Sequence, residues 1–307
     1  ERLGGIRHLA VDKTGTLTGN QPEVTGVVPA DGFDRAQVLA LAAAVEQQST
    51  HPLAAAIAAA GPEAPAALDI REEAGHGIGG TVEGRRVLVG SPRWIDAGPL
   101  KADVERMESE GQTCVLVTVD DVLAGAIGVR DELRPEVPEA VQTLRTNGVE
   151  VSMLTGDNTR TARALADIAG IDDVRAELRP EDKASIVAEL SSKTPTAMIG
   201  DGINDAPALA GATVGIAMGA TGSDAAIESA DVAFTGHDLR LIPKALQHAR
   251  RGSRIINQNI VLSLAIIIVL MPLAISGVLG LAAVVLVHEV AEVIVILNGL
   301  RAARAKN

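Results

Sequence analysis

The sequence predicts an α/β protein: a doubly wound parallel sheet, interrupted early by a smaller inserted α+β domain and closed by a transmembrane helix hairpin. Three observations carry this. From Asp131 onward, short apolar runs alternate with helical periods, the pattern of parallel strands joined by helices. Between about residue 26 and residue 125 the pattern changes to helices followed by closely spaced strands. The last fifty residues are the most apolar stretch of a chain that is 47% hydrophobic.

In chain order, residues 1 to about 25 give a strand, Ile6 to Val11, broken by Arg7 and His8, and then a Gly-containing turn. The insertion (26–126) begins with helices over Gln37 to Val45 and Pro52 to Ala60, the second with Ser49 or Thr50 as N-cap. Strands follow near Gly80 to Val82 and Arg86 to Val89, then a helix over about Ala102 to Glu110. Cys114 to Val119 and Leu123 to Val129 form a hairpin around Asp120-Asp121. Residues 127–250 return to the first domain. They give helix Val137 to Asn147, strand Val149 to Leu154, helices Arg160 to Ala169 and Lys183 to Leu190, and strand Thr196 to Ile199. Helix Ala206 to Ala210 and strand Val214 to Ala217 complete it.

Two membrane helices are expected within 255–300. The apolar tail from Ile260 to Leu297 is too long for one span of roughly 17–25 residues and suits two. Ser276-Gly277 and Gly280 mark the turn. Arg250, Arg251 and Arg254 precede the first helix, and Arg301, Arg304 and Lys306 follow the second, so both ends are expected in the cytosol. The alternative, a buried soluble hairpin, would need a polar face that neither helix has.

The length of 307 residues suits about two domains. A net charge of −12 excludes a nucleic-acid partner, which selects basic patches. The single Cys114 excludes a disulfide framework and a multi-cysteine metal site within the chain, and its strand-like setting makes it a core thiol. The start does not read as a signal peptide. Opening at Glu1, one short strand before the first motif, the chain is expected to be a fragment or a processed product.

Two turns carry the chemistry: Asp12-Lys-Thr-Gly-Thr-Leu-Thr18 and Gly200-Asp-Gly-Ile-Asn-Asp-Ala-Pro207. Each follows an apolar strand, and the C-terminal end of a parallel strand is where open sheets bind ligands. Side by side they gather Asp12, Asp201 and Asp205. That cluster repels itself unless a hard cation is present, for which Mg²⁺ is the natural choice. With Mg²⁺ bound, a carboxylate such as Asp12 can attack a phosphoryl group. Thr155 lies between a strand and a helix, where its hydroxyl and nearby N–H groups can hold phosphate oxygens. Asp157 either caps that helix or contacts a nucleotide. In the tail, His288, Glu289 and Glu292 interrupt the second apolar helix. Ionisable groups there are costly and usually functional, and an imidazole with carboxylates suits a divalent ion such as Zn²⁺ or Co²⁺. Alternatively they snorkel to water or pair with a neighbour.

Asp12 to Thr18 resembles the phosphorylation signature of P-type ATPases, ion pumps with a haloacid-dehalogenase-like catalytic core. Thr155-Gly-Asp-Asn158 and Gly200 to Pro207 resemble the other two core signatures, in order. Glu46-Gln-Gln-Ser-Thr-His-Pro-Leu53 resembles the nucleotide-domain signature of the heavy-metal (type IB) subclass. The resemblance implies ATP-driven transport of a divalent heavy-metal cation (Zn, Co, Cd, Mn or Ni class) through an aspartyl-phosphate on Asp12, with ATP and Mg²⁺ as cofactors. It implies a multi-pass membrane location with cytosolic catalytic domains. As partners it implies membrane lipid and the remainder of the pump, namely the actuator domain and the other helices.

By the same resemblance, Thr14 offers its backbone carbonyl to Mg²⁺, and Asp201 is the second Mg²⁺ carboxylate, with Asn204 and Asp205 supporting. Lys183 neutralises phosphate. Glu46, His51, Gly75, Gly77, Gly90 and Asp157 lie against the nucleotide. Asp131 and Arg134 match hinge positions between the domains, a simple solvated charge pair being the alternative. Soluble phosphatases of the superfamily carry a second Asp two positions after the nucleophile, where this chain has Thr14. A Thr cannot deprotonate water near neutral pH, so an acyl phosphate would persist. His288-Glu289 resembles the His-Glu-Gly signature of the cobalt/zinc-like subgroup, with Val290-Ala291 in place of its small continuation. The rival expectations are a haloacid-dehalogenase-like phosphatase and a regulatory fragment that binds nucleotide or metal.

Overall fold

The computed structural model describes residues 2–49, 51–61, 63–73, 76–200, 205–219, 229–236 and 238–303. Among these residues there are two six-stranded sheets. The first is parallel, with β1 (His8–Asp12) at its centre. On one side lie β8 (Glu150–Leu154) and β9 (Asp173–Arg175). On the other lie β10 (Thr196–Gly200), β11 (Val214–Met218) and β12 (Val232–Phe234). The chain runs outward from β1 through β8 to β9, then returns to β10 on the opposite side. The order therefore reverses at β1, and in such sheets the ligand crevice opens at that reversal.

The helices that cover this sheet are specified by spacing. In α5 (Val137–Thr146) the buried residues are Val137, Ala140, Val141 and Leu144. In α6 (Thr159–Ala169) they include Ala162, Leu165, Ala166 and Ala169. Both sets recur at i, i+3, i+4 and i+7, one helical face. Helix α6 starts where the Asn158 side chain accepts from the Thr161 N–H at 3.0 Å. It stops at Gly170, whose φ of 74° is the left-handed C-cap that glycine adopts without strain. Helix α7 (Pro180–Lys193) and the short α8 (Ala206–Gly211) complete the cover.

The second sheet is antiparallel, in the order β2 (Glu23–Pro29), β7 (Val122–Arg130), β6 (Thr113–Val119), β5 (Arg85–Gly90), β4 (Gly77–Val82) and β3 (Ala67–Glu73). Helices α2 (Arg35–Glu46), α3 (Pro52–Ala60) and α4 (Lys101–Ser109) pack on it. Helix α2 opens with a reciprocal cap, Gln37 N–H to Asp34 at 2.8 Å and Asp34 N–H to Gln37 at 3.0 Å. Cys114 is buried and its thiol points at the Val104 carbonyl, as expected of a core thiol. Burial pushes that thiol up to about 12, so it stays protonated and inert.

Gly77 and Gly90 face each other across β4 and β5. A Cβ on Gly77 would meet the Gly90 Cα at 2.6 Å, and one on Gly90 would meet the Trp94 ring at 2.9 Å. Gly77→Ala is therefore expected to cost about 1–3 kcal/mol, since backbone cannot yield as a flexible side chain does. A lowered denaturation midpoint at unchanged m-value would confirm it.

One correction to the sequence expectations concerns the tail. The first apolar helix runs unbroken from Leu241 to Ile275, about 52 Å. Arg250, Arg251 and Arg254 therefore lie inside the helix, not before it. It continues from the soluble units into the apolar stretch because no Gly-Pro break separates the two. The second helix is Leu281–Ala303. Their apolar side chains, including Ile268, Ile275 and Leu286, are exposed. Helices with such uncovered apolar surface are long and apolar enough to cross a membrane.

Candidate active site

Register fixes the site. Asp12 ends β1 and pairs with Leu154, which places Thr155 one step beyond on the neighbouring strand. Val11 pairs with Ile199, which places Gly200 on the other side. After Asp12 the chain makes a tight turn over Lys13–Leu17. Thr14 is extended there (φ −75°, ψ 129°) and Gly15 is left-handed (φ 73°, ψ −13°), a conformation that explains glycine at that position.

The structure brings together Asp12, Lys183 and Asp205. The Lys183 ammonium lies 2.5 Å from Asp12 Oδ1 and 2.9 Å from Asp205 Oδ1, and all three residues are buried. Burial alone would lower the lysine, but the charges of Asp12 and then Asp205 outweigh it and hold Lys183 above its ordinary value. Two carboxylates on one ammonium leave a net negative centre. Asp205 fits only because position 200 is glycine, where a Cβ would stand 2.6 Å from Asp205 Oδ2. Asp201 and Asn204 lie outside the described residues, as does Gly75.

These side chains open into a cleft of about 760 Å³ between the two sheet units. Of the expected site residues, Asp12, Thr14, His51, Thr155, Asp157, Lys183 and Asp205 line it. Glu46, Gly77 and Gly90 do not, and the two glycines have the packing reason given above. Asp157 does not cap α6, a task that falls to Asn158. Instead its carboxylate pairs with Lys13 at 2.8 Å, and its N–H donates to the Thr155 hydroxyl at 3.1 Å. Asp131 and Arg134 are not a solvated pair. Asp131 accepts from the Thr18 hydroxyl and from the Gln21 N–H, and Arg134 donates to the carbonyls of Gly15 and Thr16. Both residues thereby hold the turn that carries Thr14.

His51 begins α3, and its Nδ1 accepts from the Leu53 N–H at 3.2 Å. Burial lowers its pKa, only partly offset by Glu72 and Asp157, so the ring is neutral with its proton on Nε2. Glu46 is buried beside it in sequence and is pushed up to about 7, first by burial and then by the charge of Glu72. A carboxyl protonated in the fold but ionised when unfolded loses stability as pH rises from about 4.5 to 7. Glu46→Gln is expected to flatten that fall, worth on the order of 2 kcal/mol, in denaturation curves taken across this range.

Sequence reasoning missed Lys13 and the contact between the two units. Glu108 of α4 accepts from Asn158 at 3.2 Å and pairs with Arg160 at 3.1 Å, while the Thr161 hydroxyl donates to the Gln112 carbonyl at 2.8 Å. The partners in the contact between the units lie far apart in sequence and follow no periodicity, so they offer no signal there. In the tail, His288 Nε2 and Glu292 Oε1 are 3.4 Å apart on one helix face. Among the described residues no three His, Cys, Asp or Glu side chains gather closely enough to hold a metal ion.

Residues 6–213 match the model of the haloacid dehalogenase-like hydrolases. The chain is 59% identical over 306 residues to the probable cation-transporting ATPase G of Mycobacterium tuberculosis (strain ATCC 25618 / H37Rv), covering all of this chain and 40% of that protein. It is 41% identical to the zinc/cadmium/lead-transporting P-type ATPase of Escherichia coli (strain K12), covering all of this chain and 42% of that one. A solved zinc-transporting PIB-type ATPase in its E2.Pi state superposes with a TM-score of 0.74 at 41% identity, over 99% of this chain and 51% of the other. The chain belongs to the haloacid dehalogenase-like hydrolase family. Within it, the chain resembles the heavy-metal P-type ATPases, with its helix pair in the membrane and its catalytic units on the cytosolic side. It spans less than half the length of the two curated relatives.

Proposed function

We propose that this chain is the catalytic part of a pump that moves a divalent heavy-metal cation across a membrane, driven by phosphoryl transfer from ATP to Asp12. One observation carries the reading: a buried Asp12 at the sheet's reversal point, charge-clamped by Lys183, with Thr14 where a hydrolase would place its second acid. The Asp12 carboxylate attacks the γ-phosphorus, the bond from phosphorus to the β,γ-bridging oxygen breaks, and ADP leaves with that oxygen's electrons. Lys183 offsets charge on the transferring group, and Thr155 with its neighbouring N–H groups positions oxygens; positioning and neutralisation are most of the catalysis in such transfers. No carboxylate stands at position 14 to activate water, so the aspartyl-phosphate persists.

The residues fit Mg²⁺. Asp12 and Asp205 offer hard oxygens on one net negative centre, the donor chemistry this ion selects. Asp12, Asp205 and the Thr14 carbonyl would hold it, with Asp201. Bound there, it supplies positive charge to the phosphoryl oxygens.

The cleft has room for a nucleotide, and its lining, which includes His51, Ser91, Arg93 and Asn158, has no Phe, Tyr or Trp among the described residues. Neutral His51 supplies an Nε2–H donor, and Glu46 supports the same end of the site from behind. The relatives' names favour a divalent cargo, and His288, Glu289 and Glu292 are the proposed contribution of this chain to its path. Metal-stimulated ATP hydrolysis by the full-length protein, compared across Zn²⁺, Co²⁺, Cd²⁺, Mn²⁺, Ni²⁺ and Cu⁺, tests the reading. Stimulation by a divalent ion that is lost in Glu292→Gln supports it. Rapid turnover of small phosphate esters, indifferent to metal, would favour a phosphatase instead.

A further inference from the structure

A groove of about 860 Å³ lies away from the cleft, where the parallel-sheet unit meets the first apolar helix. One wall is the start of the chain, Gly4 and Arg7. The other is a stripe of the helix: Arg250, Arg254, Asn257, Gln258, Val261 and Ala265. Their spacing of four, three, one, three and four residues keeps them on one face. The walls approach closely because Gly4 has no side chain; a Cβ there would meet Ser253 Oγ at 2.9 Å and the Ala249 carbonyl at 3.0 Å. A second cavity of about 500 Å³ shares Arg250, Arg254 and Gln258 with the groove and adds Arg251 and Arg301.

The linings contain five arginines and no carboxylate, in a chain with 39 acidic against 27 basic residues. Among the described residues none of the five is ion-paired. Arg250 is held by backbone, donating to the carbonyls of Asn147 at 2.6 Å and Ile6 at 2.7 Å. Concentrated positive charge of this kind stays favourable when an anion answers it. Along the stripe, over about 22 Å, the surface runs from guanidinium through amide to aliphatic. That is the order of a phospholipid entering from the cytosolic leaflet: phosphate, ester, acyl chain.

We infer that the groove binds an anionic phospholipid, with its phosphate at Arg7, Arg250 and Arg254, its ester region at Asn257 and Gln258, and its chain along Val261 and Ala265. The site rests on the reading that the helix pair spans the membrane with these arginines on the cytosolic side. Free anions lack the acyl chain and gain nothing from the lower half of the groove. Because Arg7 immediately precedes β1, the lipid ties the strand that ends in Asp12 to the membrane stalk.

The test uses the full-length protein in nanodiscs of phosphatidylcholine with or without phosphatidylglycerol, with retained lipid counted by native mass spectrometry. Wild type is expected to retain phosphatidylglycerol over phosphatidylcholine. Arg254→Gln should lower that affinity about fivefold, Arg7→Gln with Arg254→Gln further, and Arg254→Lys should largely restore it. Arg250 is left in place because its backbone bonds hold the fold, and Arg240→Gln, outside the groove, should change nothing. Equal retention by the double variant overturns the site, as it would if other helices of the full-length protein filled the groove. Displacement of the lipid by inorganic phosphate overturns it in favour of a soluble anion. Failure of the protein to insert into nanodiscs overturns the membrane reading itself, which separates the two failures.

Discussion

Asp12→Asn is expected to remove the acid-stable phosphoenzyme that forms from γ-labelled ATP and to lower ATP hydrolysis by at least about a thousandfold, because an amide is no nucleophile for phosphorus. The loss is chemical and not structural. The buried cluster holds two carboxylates on one ammonium, so neutralising position 12 leaves Lys183 matched one-to-one with Asp205 at 2.9 Å. Folded stability should therefore be unchanged or slightly higher. Label incorporation and the denaturation midpoint, measured on the same preparation, separate the two effects. A label that survives with hydroxylamine lability intact would move the nucleophile elsewhere.

Lys183→Met is expected to fail on both counts. Phosphorylation should fall by about 10²–10³, the usual effect of removing one charge-stabilising donor from a transferring group. Stability should fall by roughly 3 kcal/mol, because two buried carboxylates lose the cation between them. The pH dependence distinguishes this from a simple cavity. In the wild type, Lys183 titrates above its ordinary 10.5, so its contribution is complete below that pH and is lost only as pH rises through the higher value. In the variant, one carboxyl is driven to take up a proton. The variant should then regain stability as pH falls from about 7 towards 4, where the wild type shows no such gain at this site. Urea denaturation of both proteins at several pH values measures the difference.

The sequence shows some of these features far better than others, for physical reasons. The eight inner strands announce themselves as apolar runs because both faces of the strand, or one face and both edges, are covered. The four strands that went unread are β2, β3, β9 and β12, and they are the four sheet edges. Edge strands are short or charged, as in Asp173-Val-Arg175 and the run Ala67–Glu73, and carry little apolar signal. The long stalk helix was hidden by its composition. Its basic first half resembles a flank, although Pro243 sits in the first turn, where proline is tolerated, and Gly252 alone does not end the helix.

The reacting residues were legible because Asp12 and Thr155 close strands, Lys183 and Asp205 start helices beside them, and parallel strand ends converge. Asp12, Thr155, Lys183 and Asp205 all reach the cleft. The residues that shape the turn were less so. Asp131 and Arg134 act through backbone carbonyls and single hydroxyls that leave no periodicity. Lys13 was overlooked beside a stronger neighbour, and the Glu108–Arg160 pair joins positions 52 residues apart.

The most direct test traps the intermediate chemically. Full-length protein is turned over briefly with Mg-ATP, quenched in acid and reduced with borohydride, which converts an aspartyl-phosphate to homoserine, and its peptides are sequenced by mass spectrometry. Homoserine at position 12, absent without ATP, is the predicted result. Homoserine at another aspartate, or ATP consumed with every carboxylate left intact, would contradict the account.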